Sequence, residues 1–303
     1  MKEYMFSALE PRYYDTDKIK GWRIQLQLGI HEDVVFIYSA KTGSRVIDRF
    51  IGNHNKFSVI MYLLDNGRVE INDINAHHGG YQTTANDKTI VDMNATKSKV
   101  QRIVEQMIKG TLPKDVVFIY RDPYKKYISG IYQDFNHDNR IEEGPDFLKK
   151  IREQYGRKPL DEKIGKEAIQ LWKDWAKEWC DSIILGEDMM TPHSKTILHD
   201  YELFIMKSNL NMDRVCFFNM ETNNLKELLE IYDDESNWLL EPDMAQLINR
   251  DRKSFSEPLV RKIIRETIET TTEYKELIET MLKSEWERYK WIENHDNNYN
   301  NLF

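Results

Sequence analysis

Short apolar runs broken by polar turns set the pattern of this chain. Residues 34–38 and 116–120 both read Val-Val-Phe-Ile-Tyr. Each run gives way to a polar, cationic turn and then to a stretch with apolar residues at helical spacing. β-Branched and aromatic runs bounded by turn residues predict strands, so the pattern is strand, loop, helix, written twice. Further runs extend it. Residues 57–64 and 68–74 predict strands around the tight-turn signal Asp65-Asn66-Gly67, and 214–219 predict another. A strand pair is expected around 22–28, within an otherwise mixed polar stretch from 1 to 33.

Helices are expected at 45–52, at 97–109 where Val100, Ile103, Val104, Met107 and Ile108 share a face, and from Asn224 through a leucine-rich segment. Residues 145–181 are helical and polar, interrupted at 156–159, with Trp172, Trp175 and Trp179 on one face. Core packing is favoured over a sugar platform for these tryptophans. A long charged helix runs over 257–293, and the Asn-rich tail 294–303 is expected to fray. With no internal repeat and no linker, the chain reads as one domain spanning 1–303. Its fold class is α/β, a central and mainly parallel sheet flanked by helices, with helical additions at 145–181 and 257–293.

Composition narrows the functions. With 303 residues and 40% hydrophobic content the chain can bury a large core, and its net charge of −8 disfavours a general nucleic-acid binder. An anionic ligand would need a local basic pocket against that field. No stretch approaches the roughly 20 apolar residues that cross a bilayer. The two cysteines, Cys180 and Cys216, lack metal-ligand or redox-motif neighbours and are expected to be reduced core residues.

The first turn places Lys41, Thr42, Gly43, Ser44 and Arg45 where a helix begins, and helix N-termini with free N–H groups bind phosphate. It is not a Walker A loop, because the lysine precedes the only glycine. In the second segment Arg121 ends a strand and Ser129 follows eight residues later, a spacing that aims a guanidinium and a hydroxyl at one anion. The plainer alternatives stand beside these. A Lys-Thr-Gly-Ser turn is common, Asp122 can cap a helix that starts at Pro123, and Tyr124, Tyr127, Ile128 and Ile131 are spaced like any buried helix face.

Together the two elements resemble the PAPS-dependent sulfotransferases, most closely the carbohydrate branch. Arg121, Asp122, Pro123, Tyr124, Lys126, Tyr127, Ser129 and Tyr132 match that family's second element. Lys41, Gly43 and Ser44 match the first, with Ala40 and Arg45 where the family usually has proline and threonine. The resemblance implies a P-loop-like sulfotransferase fold and 3′-phosphoadenosine 5′-phosphosulfate (PAPS) as co-substrate, with no metal. Lys41 would hold the leaving phosphate. Backbone amides of Thr42, Gly43, Ser44 and Arg45, with the hydroxyls of Thr42 and Ser44, would cradle the 5′-phosphate, and Arg121 and Ser129 would take the 3′-phosphate. Family members often close the pocket with a basic C-terminal loop, which makes Arg252 and Lys253 candidates, though a solvated charge run reads equally well. Golgi members carry a membrane anchor, so this chain resembles a soluble, cytoplasmic relative. Its expected partner is a small-molecule or glycan hydroxyl acceptor, without nucleic acid or membrane.

Sulfuryl transfer to an alcohol needs a base. His77 and His78 follow a predicted strand where carbohydrate sulfotransferases often place their histidine, and in an alternating strand only one of them faces the site. Glu70, Asp73 and His193 are reserves. A metal site at the histidine pair lacks a third ligand at suitable spacing. The rival functions are a P-loop-like nucleotide kinase or hydrolase, and a nucleotide-binding or interaction protein of the same fold without catalysis.

Overall fold

The structure is a computed structural model that describes residues 23–39, 42–53, 57–64, 67–74, 93–136, 169–170, 173–174, 176–178, 180–181, 197–232 and 259–295. Its strands are β1 (Arg23–Ile30), β2 (Val34–Tyr38), β3 (Phe57–Leu64), β4 (Val69–Ile74), β5 (Asp115–Tyr120) and β6 (Val215–Asn219). Its helices are α1 (Ser44–Asn53), α2 (Met93–Lys109), α3 (Pro123–Asn136), α4 (Leu198–Lys207), α5 (Leu225–Ile231), α6 (Leu259–Thr270) and α7 (Thr272–His295). The chain divides into two compact units, one of Met1–Arg121, Ile197–Asn249 and Arg288–Phe303, the other of Asp122–Thr196 and Arg250–Glu287.

The first unit is a mixed α/β layer structure on a six-stranded sheet of order β4-β3-β1-β2-β5-β6. β2, β5 and β6 pair in parallel. β1 is antiparallel to both β2 and β3, and β3 to β4. The expected parallel sheet is thus confined to one half. The other half is antiparallel because its connections are too short for a crossover, which needs a dozen residues or more. Three residues, closed by the His31 N–H on the Val34 carbonyl at 2.9 Å, join β1 to β2. A turn closed by the Gly67 N–H on the Leu64 carbonyl, also 2.9 Å, joins β3 to β4.

Period-two alternation gives the parallel half two buried faces. On one, Val34, Phe36, Tyr38, Val117, Ile119, Cys216 and Phe218 meet α1 and α5 through Val46, Ile47, Phe50, Leu225, Leu228 and Leu229. On the other, Phe118 packs against Tyr201 and Phe204 of α4, and Tyr120 against Tyr289 near the end of α7. Both cysteines are buried free thiols, as expected.

In the second unit α3 buries Tyr127, Ile128 and Ile131 with Ala176, Cys180 and residues of α6 and α7. Asp122 caps α3, its Oδ1 accepting the Lys125 N–H at 2.9 Å, so Pro123 is the first helical residue. The single helix expected over 257–293 is two helices with a bend at residue 271. The described parts of 145–181 are helical, and Trp172, Trp175 and Trp179 lie outside the described residues.

Candidate functional site

The carboxyl ends of β2, β5 and β6 open on one edge of the sheet, and three short connections start there. After β2, Ser39, Thr42 and Gly43 precede α1. The Thr42 hydroxyl donates to the Ser39 carbonyl at 2.8 Å and accepts the Ser39 N–H at 3.0 Å, while the Thr42 N–H donates back to the Ser39 carbonyl at 3.3 Å. Thr42 is fully buried, so both its hydroxyl and its amide are engaged inside the turn. Gly43 has φ +76° and its carbonyl accepts the first intrahelical bonds, from Val46 and Ile47 at 3.0 and 3.2 Å. The N–H groups of residues 43–45 are left among those a helix start cannot satisfy internally. Ser44, the first residue of α1, is 5% exposed. Lys41 and Ala40 lie outside the described residues.

β5 delivers Arg121 to the same edge. β2 and β5 are parallel neighbours with Ile37 opposite Phe118, so Ser39 and Arg121 leave from adjacent strands. The chain leaves β2 through α1 on one face toward β3, and β6, on the other side of β5, is reached through α4 on the opposite face. Such a reversal opens a crevice at the carboxyl ends of the two strands, the usual ligand position in open α/β sheets. Its floor is built by Tyr201 of α4. The buried hydroxyl donates to the Ile119 carbonyl at 2.8 Å and also lies 3.3 Å from the Ile37 carbonyl, beside the last paired row.

The third connection, after β6, shapes the edge. The Met220 N–H donates to the Tyr120 carbonyl at 2.9 Å, and the Met220 side chain lies against Gly43. Glu221 Oε1 receives Arg121 Nε at 2.5 Å, each side chain 22% exposed. Asn219 holds this connection in place. Its Oδ1 accepts the Glu221 N–H at 2.9 Å, and its Nδ2 donates to the Tyr289 hydroxyl at 2.9 Å and to Glu293 Oε1 at 3.0 Å. The plainer alternative is also met here: a carboxylate holds the Arg121 guanidinium, and Asp122 caps the helix that starts at Pro123.

Of the other candidate residues, Ser129 is on α3, 6% exposed, in the unit that begins at Asp122. Arg45 lies in α1. His77, His78, His193, Arg252 and Lys253 lie outside the described residues. β4 ends at Ile74, which is level with Ile37 through Val59 and Leu28, and it runs opposite to β2. It is three strands from β2, about 14 Å at the usual strand spacing. β4 itself therefore runs away from the crevice edge. Glu70 and Asp73 are on β4, with Glu70 exposed.

Sequence patterns could not reveal Tyr201 or Asn219, which hold partners 70 to 164 residues away, or Asp48, which meets Tyr38 and Gln27 across two strands. Asp48 of α1 takes the Tyr38 hydroxyl and lies 3.4 Å from Gln27 Nε2. A polar residue on the otherwise apolar face of α1 was the one available signal. Among the described residues no group of three or more His, Cys, Asp or Glu side chains is placed to hold a metal ion, and no helix is long and apolar enough to cross a membrane. Compared with family models, curated proteins and solved structures, the chain matches none.

Proposed function

We propose that this protein is a sulfotransferase that moves a sulfuryl group from PAPS to a hydroxyl of a carbohydrate acceptor. The observation that carries the reading is the departure of the lysine-bearing turn and of Arg121 from adjacent parallel strands, at one edge, over the crevice floored by Tyr201. The N–H groups of Gly43, Ser44 and Arg45 fit an anion at the start of α1, and Lys41 directly precedes Thr42 in the sequence. In transfer, a base takes the acceptor hydroxyl proton, its oxygen forms the new S–O bond, and the bond from sulfur to the phosphate oxygen breaks. A cation at that oxygen, the role assigned to Lys41, counts most in the transition state because charge grows there. His77 or His78 is the proposed base and Arg121 the proposed 3′-phosphate contact.

A second reading, a nucleotide-binding or structural protein without catalysis, is favoured by one observation: Arg121 is already held by Glu221. Thermal-shift titration with 3′-phosphoadenosine 5′-phosphate, PAPS and ATP, with and without magnesium, tests the assignment. Stabilisation by the 3′-phosphorylated nucleotides without magnesium is expected. A preference for ATP with magnesium would reject it, and binding without turnover on a broad acceptor panel would select the second reading.

A further inference from the structure

Asn219, the last residue of β6, joins the crevice edge to the end of α7. It pairs with Tyr120 in the register of β5 and β6, and Tyr289 of α7 packs edge-on against the Tyr120 ring with centroids 5.6 Å apart. Asn219 is 3% exposed, and the two ends of its amide are not interchangeable. Oδ1 accepts the Glu221 N–H, while Nδ2 donates to the Tyr289 hydroxyl and to Glu293 Oε1. A flipped amide would set a donor against the Glu221 N–H and an oxygen against the Glu293 carboxylate. The end of α7 therefore selects the orientation that suits Glu221.

That orientation fixes the backbone beside Arg121. The Met220 N–H donates to the Tyr120 carbonyl at 2.9 Å, the Glu221 N–H to Asn219 Oδ1 at 2.9 Å, and the Asn223 N–H to the Asn219 carbonyl at 3.0 Å. Glu221 thus reaches Arg121 Nε from an anchored backbone, and Arg121 itself directly follows β5. A partly exposed ion pair loses much of its attraction to the entropy of ordering two long side chains, and anchoring both backbones reduces that loss. An engaged Nε–H also sets the plane of the guanidinium, and so the directions of its remaining donors. Leucine at 219 would fill similar space but could hold no amide two residues on.

We propose that Asn219 is a positioning residue for Arg121, acting through Glu221, and that Tyr289 and Glu293 at the end of α7 hold it in that role. The use of Arg121 as an anion contact rests on the sulfotransferase reading, whereas the relay from α7 to the guanidinium does not. At an anion site Glu221 then has two opposed effects. Its charge repels the ligand and its shape orients the guanidinium. Asn219→Leu releases the shape and keeps the charge, so it should act oppositely to Glu221→Gln.

The Arg121 Nε–H resonance of the isotope-labelled full chain, recorded without nucleotide and assigned by its loss in Arg121→Lys, tests the relay. In the wild type this proton should exchange with water at least about tenfold more slowly than those of exposed arginines. Asn219→Leu and Asn219→Asp should remove most of that protection. Glu293→Ala, at an exposed position, should remove part of it and keeps the test open if the Asn219 variants fail to fold. Asn219→Asp combined with Glu293→Gln exchanges donor for acceptor across the contact at constant net charge, and should restore the protection. Calorimetry with 3′-phosphoadenosine 5′-phosphate reads the consequence: Asn219→Leu should weaken binding severalfold. Wild-type exchange in Asn219→Leu or in Glu293→Ala, no recovery in the double variant, or unchanged or tighter nucleotide binding in Asn219→Leu would overturn the inference. A wild-type chain that ignores the nucleotide would end the donor assignment, and the Nε–H signal would still decide the relay.

Discussion

Arg121 Nε and Glu221 Oε1 are 2.5 Å apart, a contact between the connections that leave β5 and β6. A phosphate arriving at Arg121 must share or displace that carboxylate. Glu221→Gln keeps the shape and removes the charge, so it should tighten binding of 3′-phosphoadenosine 5′-phosphate by about two- to fivefold, the scale of a partly exposed pair. Arg121→Ala should weaken the same ligand. Titration calorimetry at low and moderate salt measures both, and weaker binding in Glu221→Gln would show that the pair, rather than the free guanidinium, makes the site.

Gly43 and Gly110 share a left-handed backbone, φ +76° and +71°, but not their surroundings. A Cβ on Gly43 would lie 2.8 Å from Met220 Cε, the movable end of a flexible side chain. On Gly110, which ends α2, it would lie 2.0 Å from the Asn209 backbone oxygen. The Asn209 N–H donates to the Ile108 carbonyl at 2.7 Å, so that backbone is held against α2. Gly43→Ala is expected to cost about 1–2 kcal/mol, chiefly conformational strain, and pairing it with Met220→Ala should recover the part due to contact. Gly110→Ala should cost distinctly more. Urea denaturation ranks the variants, and equal losses would mean that the contacts contribute nothing.

Local order was legible where side chains act on their own backbone. The strands at 57–64 and 215–219 and the start of α5 at Leu225 follow from β-branched runs, the Asp65-Asn66-Gly67 turn, and Asn224, whose side chain accepts the Lys226 N–H at 3.1 Å. α4 was not assigned, since its residues, including buried Asp200 and Glu202, do not separate into apolar and polar faces. The bend at Thr271 hides inside a continuous charged pattern. At the candidate site the turn and Arg121 were visible as motifs. The carboxylate on Arg121 and the Tyr201 floor depend on pairs 82 to 164 residues apart, which local pattern does not encode.

Arg288 and Glu202 form a buried ion pair in the first unit, Nε to Oε2 at 2.6 Å with the side chains 6% and 2% exposed. Arg288 Nη2 also lies 3.1 Å from His199 Nδ1, and because arginine only donates, that nitrogen is the acceptor. Removing one partner strands a charge in the core, so Glu202→Gln should cost about 3–5 kcal/mol. Glu202→Leu with Arg288→Met should be far milder, because no unpaired charge remains. Denaturant unfolding of the single and double variants checks this, and additive losses would deny the coupling.

Cys180 and Tyr274 give the second unit an alkaline limit. Burial, reinforced by neighbouring Asp181, pushes the Cys180 thiol from 9.0 up to about 12. Burial and a 2.8 Å hydrogen bond donated to Asp181 raise the Tyr274 hydroxyl from 10.0 to about 12. In the folded state both keep their protons as pH rises, while the unfolded chain releases its thiol proton above pH 9 and its phenol proton above pH 10. The unfolded state then binds fewer protons, so stability falls with rising pH until the folded groups also ionise near pH 12. The slope tends toward about 1.4 kcal/mol per pH unit for each such group. Cys180→Ala should flatten the fall between pH 9 and 10, and Tyr274→Phe the part above pH 10. In the native protein at pH 8 the thiol should react with a disulfide reagent only at the rate of opening. Stability that stays level from pH 9 to 11, or rapid native-state labelling of Cys180 measured in a Cys216→Ala background, would show that the thiol is not sealed in the core of this unit.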